Sequence, residues 1–443
     1  MTPDPSPRPA PVDRRSLLAG ATALSVSAVA GCRSSRGRGG TREGEAEERA
    51  RLDELFADLH DRAAEYAPIS AQEKRARCDR LAHLLAARGI DALLVEPGAT
   101  LRYLSGVSWG LSERLFALVV CADGSRFWIV PAFEGPRAES EIDAAGPSGP
   151  LVTWDEHEYA WQPLELALAE RSCERIAIDP SARAFVVHAL DEVLGHERVL
   201  AGLTVVRDLR GRKDAHEIAL LRGASELTQQ AIAAVAERLR SGTTDHEIGA
   251  MLRRAQERLG LSDAWVLPLI GPSTAAPHGG PEGRILAPDD LLLVDTGASL
   301  YDYQSDISRT WIFGGEPTSE IRSAWDTVRA AQICAFEAMR PGVPCRAIDR
   351  AARETIEKAG YGAGYTSFAH RLGHGIGLEG HEDPYFDGGS EVRLEPGMTF
   401  SDEPGIYLPG RFGVRLEDIV VVTEDGADHF GSWQSSPTAP LTS

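Results

Sequence analysis

Residues 294–310 read VDTGASLYDYQSDISRT and place two aspartates eleven positions apart. The apolar run at 291–294 predicts a buried strand that ends at Asp295, where a carboxylate without a partner would be costly. A turn is expected at 297–300, followed by a returning strand with alternating polar residues. The polar residues that share one face of this strand are Asp302, Gln304, Asp306, Ser308 and Thr310. Asp306 can therefore face Asp295 across a hairpin, and the two converging carboxylates require a cation.

Three later phrases carry further side chains that bind metals. They read HRLGHGIGLEGHEDP at 370–384, SDEPGIY at 401–407 and GVRLEDIVV at 413–421. His374 lies between glycines that keep the backbone close, Glu403 precedes a Pro-Gly turn, and Glu417 leads into an apolar strand. With the two aspartates, these residues form the ligand set of two adjacent divalent metal ions. Oxygen and nitrogen donors without thiolates favour Mn²⁺, Co²⁺, Fe²⁺ or Zn²⁺, and we expect Mn²⁺. A two-metal centre activates water for hydrolysis.

Length and composition restrict the class of protein. The chain has 443 residues, enough for two domains, and its 43% hydrophobic and 25% charged residues are typical of a soluble globular protein. The net charge of −20 and the pI near 5.1 differ from the basic footprint that nucleic-acid binding requires. We therefore exclude nucleic acid as a partner and attribute the acidity to a solvated surface.

The first 32 residues predict an export signal. Arg14 and Arg15 precede a weakly apolar run of 14 residues at 17–30, which is too short to span a bilayer. The paired arginines resemble a twin-arginine signal, which exports folded proteins, and VAGC at 29–32 resembles a lipobox with Cys32 as the lipidated residue. We expect an exported protein that meets the membrane only through a lipid anchor at Cys32. A chance arginine pair before an ordinary apolar helix is the alternative.

The pattern along the rest of the chain divides it into two domains. Helical and strand patterns alternate at first, whereas antiparallel strand signals around one long helix pair at 320–360 dominate later. The boundary lies near 209, because Asp214 and Glu217 form the capping box of a long helix. The predicted segments are a signal (1–32), a flexible tether (33–50), a smaller α/β domain (51–208), an α+β catalytic domain (209–436) and a tail (437–443).

Strand predictions in the first domain rest on β-branched and apolar runs. Residues 117–121 and 127–130 flank Asp123 and Gly124, which predicts a hairpin. The segment TVVRD at 204–208 is predicted to be the last strand of this domain.

The order Asp, Asp, His, Glu, Glu and the phrases around it resemble the pita-bread metallopeptidase family, which includes methionine aminopeptidase, aminopeptidase P, prolidase and creatinase. RCDRLAHLLAARGIDALLV at 77–95 and LRYLSGVSW at 101–109 resemble the N-terminal domain of the creatinase, aminopeptidase P and prolidase branch. The resemblance covers about 51–430. It implies an α+β fold, with a pita-bread catalytic domain preceded by a smaller α/β creatinase-like domain, and a homodimer.

The resemblance also implies a role for each metal ligand. Asp295 and Asp306 hold one ion, and Asp306, His374, Glu403 and Glu417 surround the other. Asp306 and Glu417 bridge the pair. A hydroxide between the ions attacks the scissile carbonyl, and Glu403 carries the proton to the leaving nitrogen.

Five more residues match substrate-site positions of the family. His278 and His381 match histidines that contact the substrate and stabilise the tetrahedral intermediate. His370 is expected to line the pocket for the residue after the cleaved bond. Arg415 and Tyr407 are expected to orient carboxylates at the substrate site. Packing or ion pairing is the alternative role for each.

The implied function is removal of an N-terminal residue that precedes proline, from a dipeptide or a longer peptide. Creatinase-type hydrolysis, another small-molecule C–N hydrolysis on this fold, and a binding module without catalysis are the alternatives. The intact ligand set argues against creatinase-type chemistry, which works without metal, and against binding modules, which lose the ligands. One departure concerns the loop before His278, where Ser273 and Thr274 replace the usual asparagine.

Overall fold

The computed structural model describes residues 42–280 and 283–441. The chain divides into two compact units, residues 1–51 and 52–443, and the two domains described below belong to the second. The predicted signal at 1–32, with Arg14, Arg15 and Cys32, lies outside the described residues, so export and lipid anchoring stay predictions. Within the part of the chain that is described, no helix is both long enough and apolar enough to cross a membrane.

The predicted tether at 33–50 overlaps a helix in its C-terminal part. From Arg42 onward the chain forms helix α1, Arg42–Leu55. Alanine, glutamate and arginine dominate this segment and are good helix formers, so the low content of large apolar residues does not prevent a helix.

The N-terminal domain is a six-stranded mixed sheet covered by helices. Its strands are β1 Ala92–Val95, β2 Ala117–Cys121, β3 Arg126–Pro131, β4 Leu151–Trp154, β5 Ile176–Ile178 and β6 Val199–Ala201. Its α-helices are α2 Ala71–Ala87, α3 Ala99–Ser105, α4 Gly135–Ala145, α5 Trp161–Glu170, α6 Ala184–Leu194 and α7 Leu203–Arg210, and short 3-10 helices lie at Ala63–Glu65, Ala132–Glu134 and His196–Arg198. The strand order is β4-β3-β2-β1-β5-β6, with antiparallel pairing only around β2. The predicted α/β domain is confirmed.

The predicted hairpin of this domain is present, whereas the strand predicted at 204–208 is not. The hairpin is formed by β2 and β3, with Val120 paired to Arg126. The segment at 204–208 instead belongs to helix α7, because Val205, Val206 and Leu209 are all buried on one helical face. Packing onto the sheet outweighed the β-propensity of the two valines.

The catalytic domain combines four long helices with three small sheets. The helices are α8 Ala215–Arg238, α9 Asp245–Arg258, α10 Ser319–Ala338 and α11 Cys345–Lys358, with a 3-10 helix at Gly271–Ala275. The strands are β7 Ser262–Ile270, β8 Leu291–Leu300, β9 Tyr303–Gln304, β10 Ile307–Ile312, β11 Gly373–Gly375, β12 Glu382–Phe386, β13 Thr399–Asp402, β14 Gly405–Leu408, β15 Phe412–Arg415, β16 Asp418–Val422 and β17 Ala427–His429. The predicted capping box of Asp214 and Glu217 begins α8.

Two of these sheets meet where the carboxylates lie. The first sheet has the order β10-β8-β7, with β9 paired to β8, and the second has the order β12-β11-β13-β16-β17. Helices α8 and α9 share one apolar core with the first sheet, and α10 and α11 share another with the second. A single β-bridge between Ser308 and Glu417 joins the sheets. The fold therefore brings together residues that are more than a hundred positions apart in the sequence. The place where the two sheets meet, around Ser308 and Glu417, is called the seam below.

Candidate metal centre

The hairpin that carries the two aspartates turns later than predicted. Strand β8 continues through 297–300, and the chain reverses at Tyr301 and Asp302, whose φ angles are 47° and 75°. A two-residue turn with left-handed φ angles matches the twist of antiparallel strands. Gly297 is required for another reason, since a Cβ there would lie 1.9 Å from the Ser305 carbonyl oxygen. This glycine marks a close backbone approach inside a strand, and the sequence prediction mistook it for a turn.

The predicted convergence of the aspartates is nevertheless present. Asp295, Asp306 and Glu417 offer carboxylate oxygens that lie within 4.8 Å of one another. Ser308, which pairs with Asp295 in the β8–β10 register, has its Oγ 3.0 Å from Asp295 Oδ1 and 2.8 Å from Glu417 Oε2. Arg415 Nε donates to the same Oγ at 2.8 Å. The sequence predicted no role for Ser308, although its place on the polar face of that strand was the available signal.

Glycines around His374 let three strands approach each other. A Cβ on Gly373 would lie 2.0 Å from the Ser401 carbonyl oxygen, and a Cβ on Gly375 would lie 2.4 Å from the Glu382 carbonyl oxygen. Any larger residue at these positions would push β13 or β12 away. The glycines therefore hold the His374 backbone close to β12 and β13, and this close approach is the role that the sequence predicted for them.

The His374 ring points its Nε2 at the carboxylates. Nδ1 lies 3.1 Å from the Gly375 carbonyl oxygen and so carries the proton, which leaves the Nε2 lone pair free. Nε2 is 3.6 Å from Asp306 Oδ2 and 3.5 Å from Glu403 Oε1. Burial lowers the pKa of His374 to about 3, so the ring is neutral and able to bind a metal. His381, which is exposed, stacks on this ring at 3.7 Å and also offers a ligand atom near Asp306.

The charges at this seam do not balance within the protein. Burial raises the pKa of Asp306 and of Glu417, and it raises the pKa of Glu403 to about 8. Arg415 NH2 contacts Asp295 Oδ2 at 2.6 Å and supplies one positive charge. Four carboxylates around one guanidinium leave excess negative charge in a buried place, which cations would offset. The donor set and its charge therefore fit divalent metal ions.

A hydrogen-bonded chain runs from Arg415 through Tyr407 to His370, two of the predicted substrate-site residues, and ends beside Glu403. Arg415 NH1 donates to the Tyr407 hydroxyl at 2.9 Å, and that hydroxyl is 2.9 Å from His370 Nε2. His370 Nδ1 lies 3.8 Å from Glu403 Oε2. Burial lowers the pKa of His370 to about 3 and raises that of Tyr407 to about 12, so both side chains are neutral. The structure thus groups these residues beside Glu403.

Two hydrogen bonds connect the loop that carries His278 to strand β15. His278 is exposed, and the preceding Pro277 carbonyl accepts a hydrogen bond from Arg415 NH1 at 3.1 Å. Thr274, in the Ser-Thr pair that replaces the usual asparagine, accepts a hydrogen bond from the Gly413 amide at 2.8 Å through its Oγ1. The replacement therefore ties the loop to β15.

The fold and the carboxylate-rich centre define a metal-dependent hydrolase. Residues 219–424 match the Metallopeptidase family M24, and residues 77–211 match the Creatinase/Prolidase N-terminal domain. The chain is 40% identical over 342 residues to a protein named probable dipeptidase PepE of Mycobacterium tuberculosis, covering 76% of this chain and 89% of the relative. It is 33% identical over 361 residues to an Xaa-Pro dipeptidase of Lactobacillus delbrueckii, covering 80% and 95%.

The crystal structure of dipeptidase PepE from Mycobacterium ulcerans has a TM-score of 0.77 and 32% identity to this chain, covering 84% of it and 100% of that structure. The chain belongs to metallopeptidase family M24. The predicted family, the pita-bread fold with its creatinase-like N-terminal domain, and the class of enzyme are confirmed.

The metal-free protein should become more stable as the pH falls from about 8 to about 6.5. The pKa of Glu403 is about 8 in the folded chain and near 4.5, the ordinary value of a glutamate, in the unfolded chain, so the folded state binds the proton more tightly. We expect the free energy of unfolding to rise by about 1–2 kcal/mol over this interval. Below about pH 6.5, His370 and His374 oppose the gain, because they take up protons only in the unfolded chain.

Urea unfolding of EDTA-treated protein at both pH values measures this change. The control is protein saturated with Mn²⁺. Its free energy of unfolding should not rise over this pH interval, because bound metal displaces the protons from the carboxyl groups. A metal-free protein that loses stability between pH 8 and about 6.5 would contradict the expectation.

Proposed function

We propose that the protein is an Xaa-Pro peptidase, which hydrolyses the bond between an N-terminal residue and proline. The observation that carries the proposal is the convergence of Asp295, Asp306, His374, Glu403 and Glu417 at one buried seam. The relative named Xaa-Pro dipeptidase, which shares 33% identity with the chain, supports the choice of substrate.

We propose two divalent metal ions, with Mn²⁺ as the preferred ion. Asp295 and Asp306 would hold one ion, and Asp306, His374, Glu403 and Glu417 would hold the other. The donor set of four carboxylates and one neutral imidazole supports this choice of metal. When bound, such ions supply a water molecule acidic enough to serve as a nucleophile near neutral pH.

The surrounding side chains would position the substrate and move its protons. Glu403 would take up the proton of the attacking water and deliver it to the departing proline nitrogen. His278 and His381 are exposed and would donate to the carbonyl oxygen of the scissile bond. His370 and Tyr407, held by their hydrogen bonds to each other and to Arg415, would line the substrate site beside Glu403.

Metal depletion and reconstitution test this function. EDTA-treated protein should be inactive on Ala-Pro and should regain activity with Mn²⁺ at about two ions per chain. Ala-Ala is the matched control substrate, and it should be cleaved far more slowly. Hydrolysis of creatine without metal would favour the creatinase-type alternative. A folded protein that cleaves no Xaa-Pro substrate with Mn²⁺, Co²⁺, Fe²⁺ or Zn²⁺ would overturn the proposal.

We also propose a homodimer that is exported and anchored outside the membrane. The support is the twin-arginine pattern at Arg14 and Arg15, the lipobox cysteine at Cys32, and the resemblance to dimeric relatives. Export in the folded state would let the metal ions bind before the protein leaves the cytoplasm.

A further inference from the structure

Two buried cysteines of the N-terminal domain lie in contact with each other. The Cys173 thiol donates a hydrogen bond to the Cys121 sulfur, and the two sulfurs are 3.8 Å apart although 52 positions of sequence separate the residues. Both side chains belong to one apolar cluster of this domain, and Cys121 and Cys173 are 2% and 3% exposed. The two side chains therefore approach each other end to end, as the partners of a disulfide must.

Two separate elements of the backbone fix the positions of these cysteines. Cys121 is the last residue of β2 and pairs directly with Ala92 of β1. Cys173 follows α5, where Ser172 has a left-handed φ of 54° and the Cys173 amide donates to the Leu168 carbonyl at 3.0 Å. A left-handed residue followed by this backward hydrogen bond is a common end of a helix. The sulfurs therefore meet because a strand pairing and a helix end each hold one of them in place.

The hydrogen bond makes the two thiols chemically different. It lowers the pKa of Cys121 to about 7, although burial acts in the opposite direction. The same bond raises the pKa of Cys173, which keeps the proton. For comparison, burial raises the pKa of Cys78 to about 11 and that of Cys345 to about 12. Because the thiolate is the nucleophilic form of cysteine, Cys121 is the sulfur that attacks near neutral pH.

The pair lies just below the protein surface. Ser172 and Glu174, on either side of Cys173 in the sequence, are exposed, and so is Asp123, two positions after Cys121. Hydrogen peroxide is only slightly larger than a water molecule, so a small opening at this end of the sheet admits it. A protein oxidant would require a much larger opening, because both sulfurs are buried.

We propose that Cys121 and Cys173 form a redox site that a hydroperoxide converts to a disulfide. The inference goes beyond the proposed peptidase function and does not depend on it. The bond would tie the end of β2 to the segment between α5 and β5. Such a bond constrains the unfolded chain and so stabilises the folded domain.

The reaction proceeds in two steps. The Cys121 thiolate attacks one peroxide oxygen, the O–O bond breaks, and the departing hydroxide takes a proton from the medium to give water, which leaves a sulfenic acid on Cys121. The Cys173 sulfur then attacks the Cys121 sulfur, the S–O bond breaks, and the departing hydroxide takes the Cys173 thiol proton to give a second water. The two thiols lose two electrons, and these reduce one peroxide to two waters.

The test treats the full-length chain, as purified, with a small excess of hydrogen peroxide and counts free thiols after unfolding. Cys32→Ser and Cys334→Ser are present in every sample, because they remove the predicted lipidation residue and the exposed thiol. The remaining thiols are Cys78, Cys121, Cys173 and Cys345. We expect two thiols to disappear together, a mass lower by two hydrogen atoms, and a linked peptide pair that contains Cys121 and Cys173. Dithiothreitol should restore both thiols.

Three further variants test the order of the steps, with circular dichroism as the check on folding. In Cys173→Ser, a hydroxyl remains to donate to Cys121 but no disulfide can form, so the sulfenic acid should accumulate and be trapped by dimedone. In Cys121→Ser, the attacking thiolate is missing, so Cys173 should stay reduced. Cys78→Ser is the matched control, since it removes a buried cysteine outside the pair and should leave disulfide formation unchanged.

The rate and the stability decide between a redox site and a mere contact of two thiols. Cys121 should react about 100-fold faster than Cys78 or Cys345, because more of it is thiolate. The oxidised chain should melt about 3–8 °C above the reduced chain, because the bond closes a loop of 52 positions. Equal reaction of all four thiols, a pair that stays reduced, or a lower melting temperature after oxidation would each overturn the proposal. None of these measurements involves hydrolysis, so a failure of the proposed peptidase function would leave the result unaffected.

Discussion

Replacing Asp306 by asparagine should lower kcat/KM on Ala-Pro by about 10³-fold or more. Asp306 belongs both to the group with Asp295 and Glu417 and to the group with His374 and His381, so its loss would weaken both metal positions. A metal ion contributes several kcal/mol to stabilising charge in the transition state, and about 4 kcal/mol corresponds to about 10³-fold in rate. Kinetics with saturating Mn²⁺, together with the metal content per chain, measure the effect.

The same substitution should make the metal-free protein more stable. Asp306 is 5% exposed, and burial followed by the charges of Asp295 and Glu403 raises its pKa. Removing one of these crowded carboxylates should raise the free energy of unfolding by about 1 kcal/mol near pH 8. Asp302→Asn is the matched control, since that side chain is 47% exposed, and it should change stability by less than about 0.5 kcal/mol. Retention of full activity by Asp306→Asn would contradict its role as a ligand.

Replacing Glu382 by glutamine should destabilise the protein by about 3–5 kcal/mol. Glu382 Oε2 lies 2.6 Å from Arg210 NH2, and Oε1 lies 2.7 Å from Lys213 Nζ. The Lys213 side chain is 1% exposed and that of Glu382 is 7% exposed. Burial opposes ionisation of Glu382, but Lys213 and Arg210 hold its pKa below the usual value. A neutral amide at 382 would leave two cations without their shared buried counter-ion.

This ion cluster also bears on activity, because it joins the two domains beside the metal centre. Arg210 ends helix α7 of the N-terminal domain, whereas Glu382 begins β12 and directly follows His381. We expect kcat/KM of Glu382→Gln to fall by about tenfold or more as His381 loses its fixed position. Urea unfolding and kinetics of metal-saturated protein measure both effects.

Glu379→Gln provides the control for Glu382→Gln. Glu379 also contacts Arg210 at 2.7 Å, but its side chain is 46% exposed, so its replacement should cost less than about 1 kcal/mol. If both variants lost the same small amount of stability, burial would contribute nothing to the stability of this ion cluster.

Much of the metal centre could be predicted because each ligand lies in a short phrase with its own local signal. An apolar strand ends at Asp295, glycines flank His374, and a Pro-Gly turn follows Glu403. The wrong predictions arose where the same local sequence pattern is compatible with two different structures. Gly297 served a close backbone approach within a strand, and the valines at 205 and 206 packed as a helical face.

The sequence by itself determined which donor atoms the protein brings to the metals, because a carboxylate or an imidazole is a property of the residue. Only the tertiary structure decided how those charges are balanced and positioned. Arg415 meets Asp295 across 120 positions of sequence, and Ser308 joins Asp295 to Glu417 where two sheets touch. Electrostatic and packing energies depend on distances in space, and these distances exist only after the two sheets have packed together.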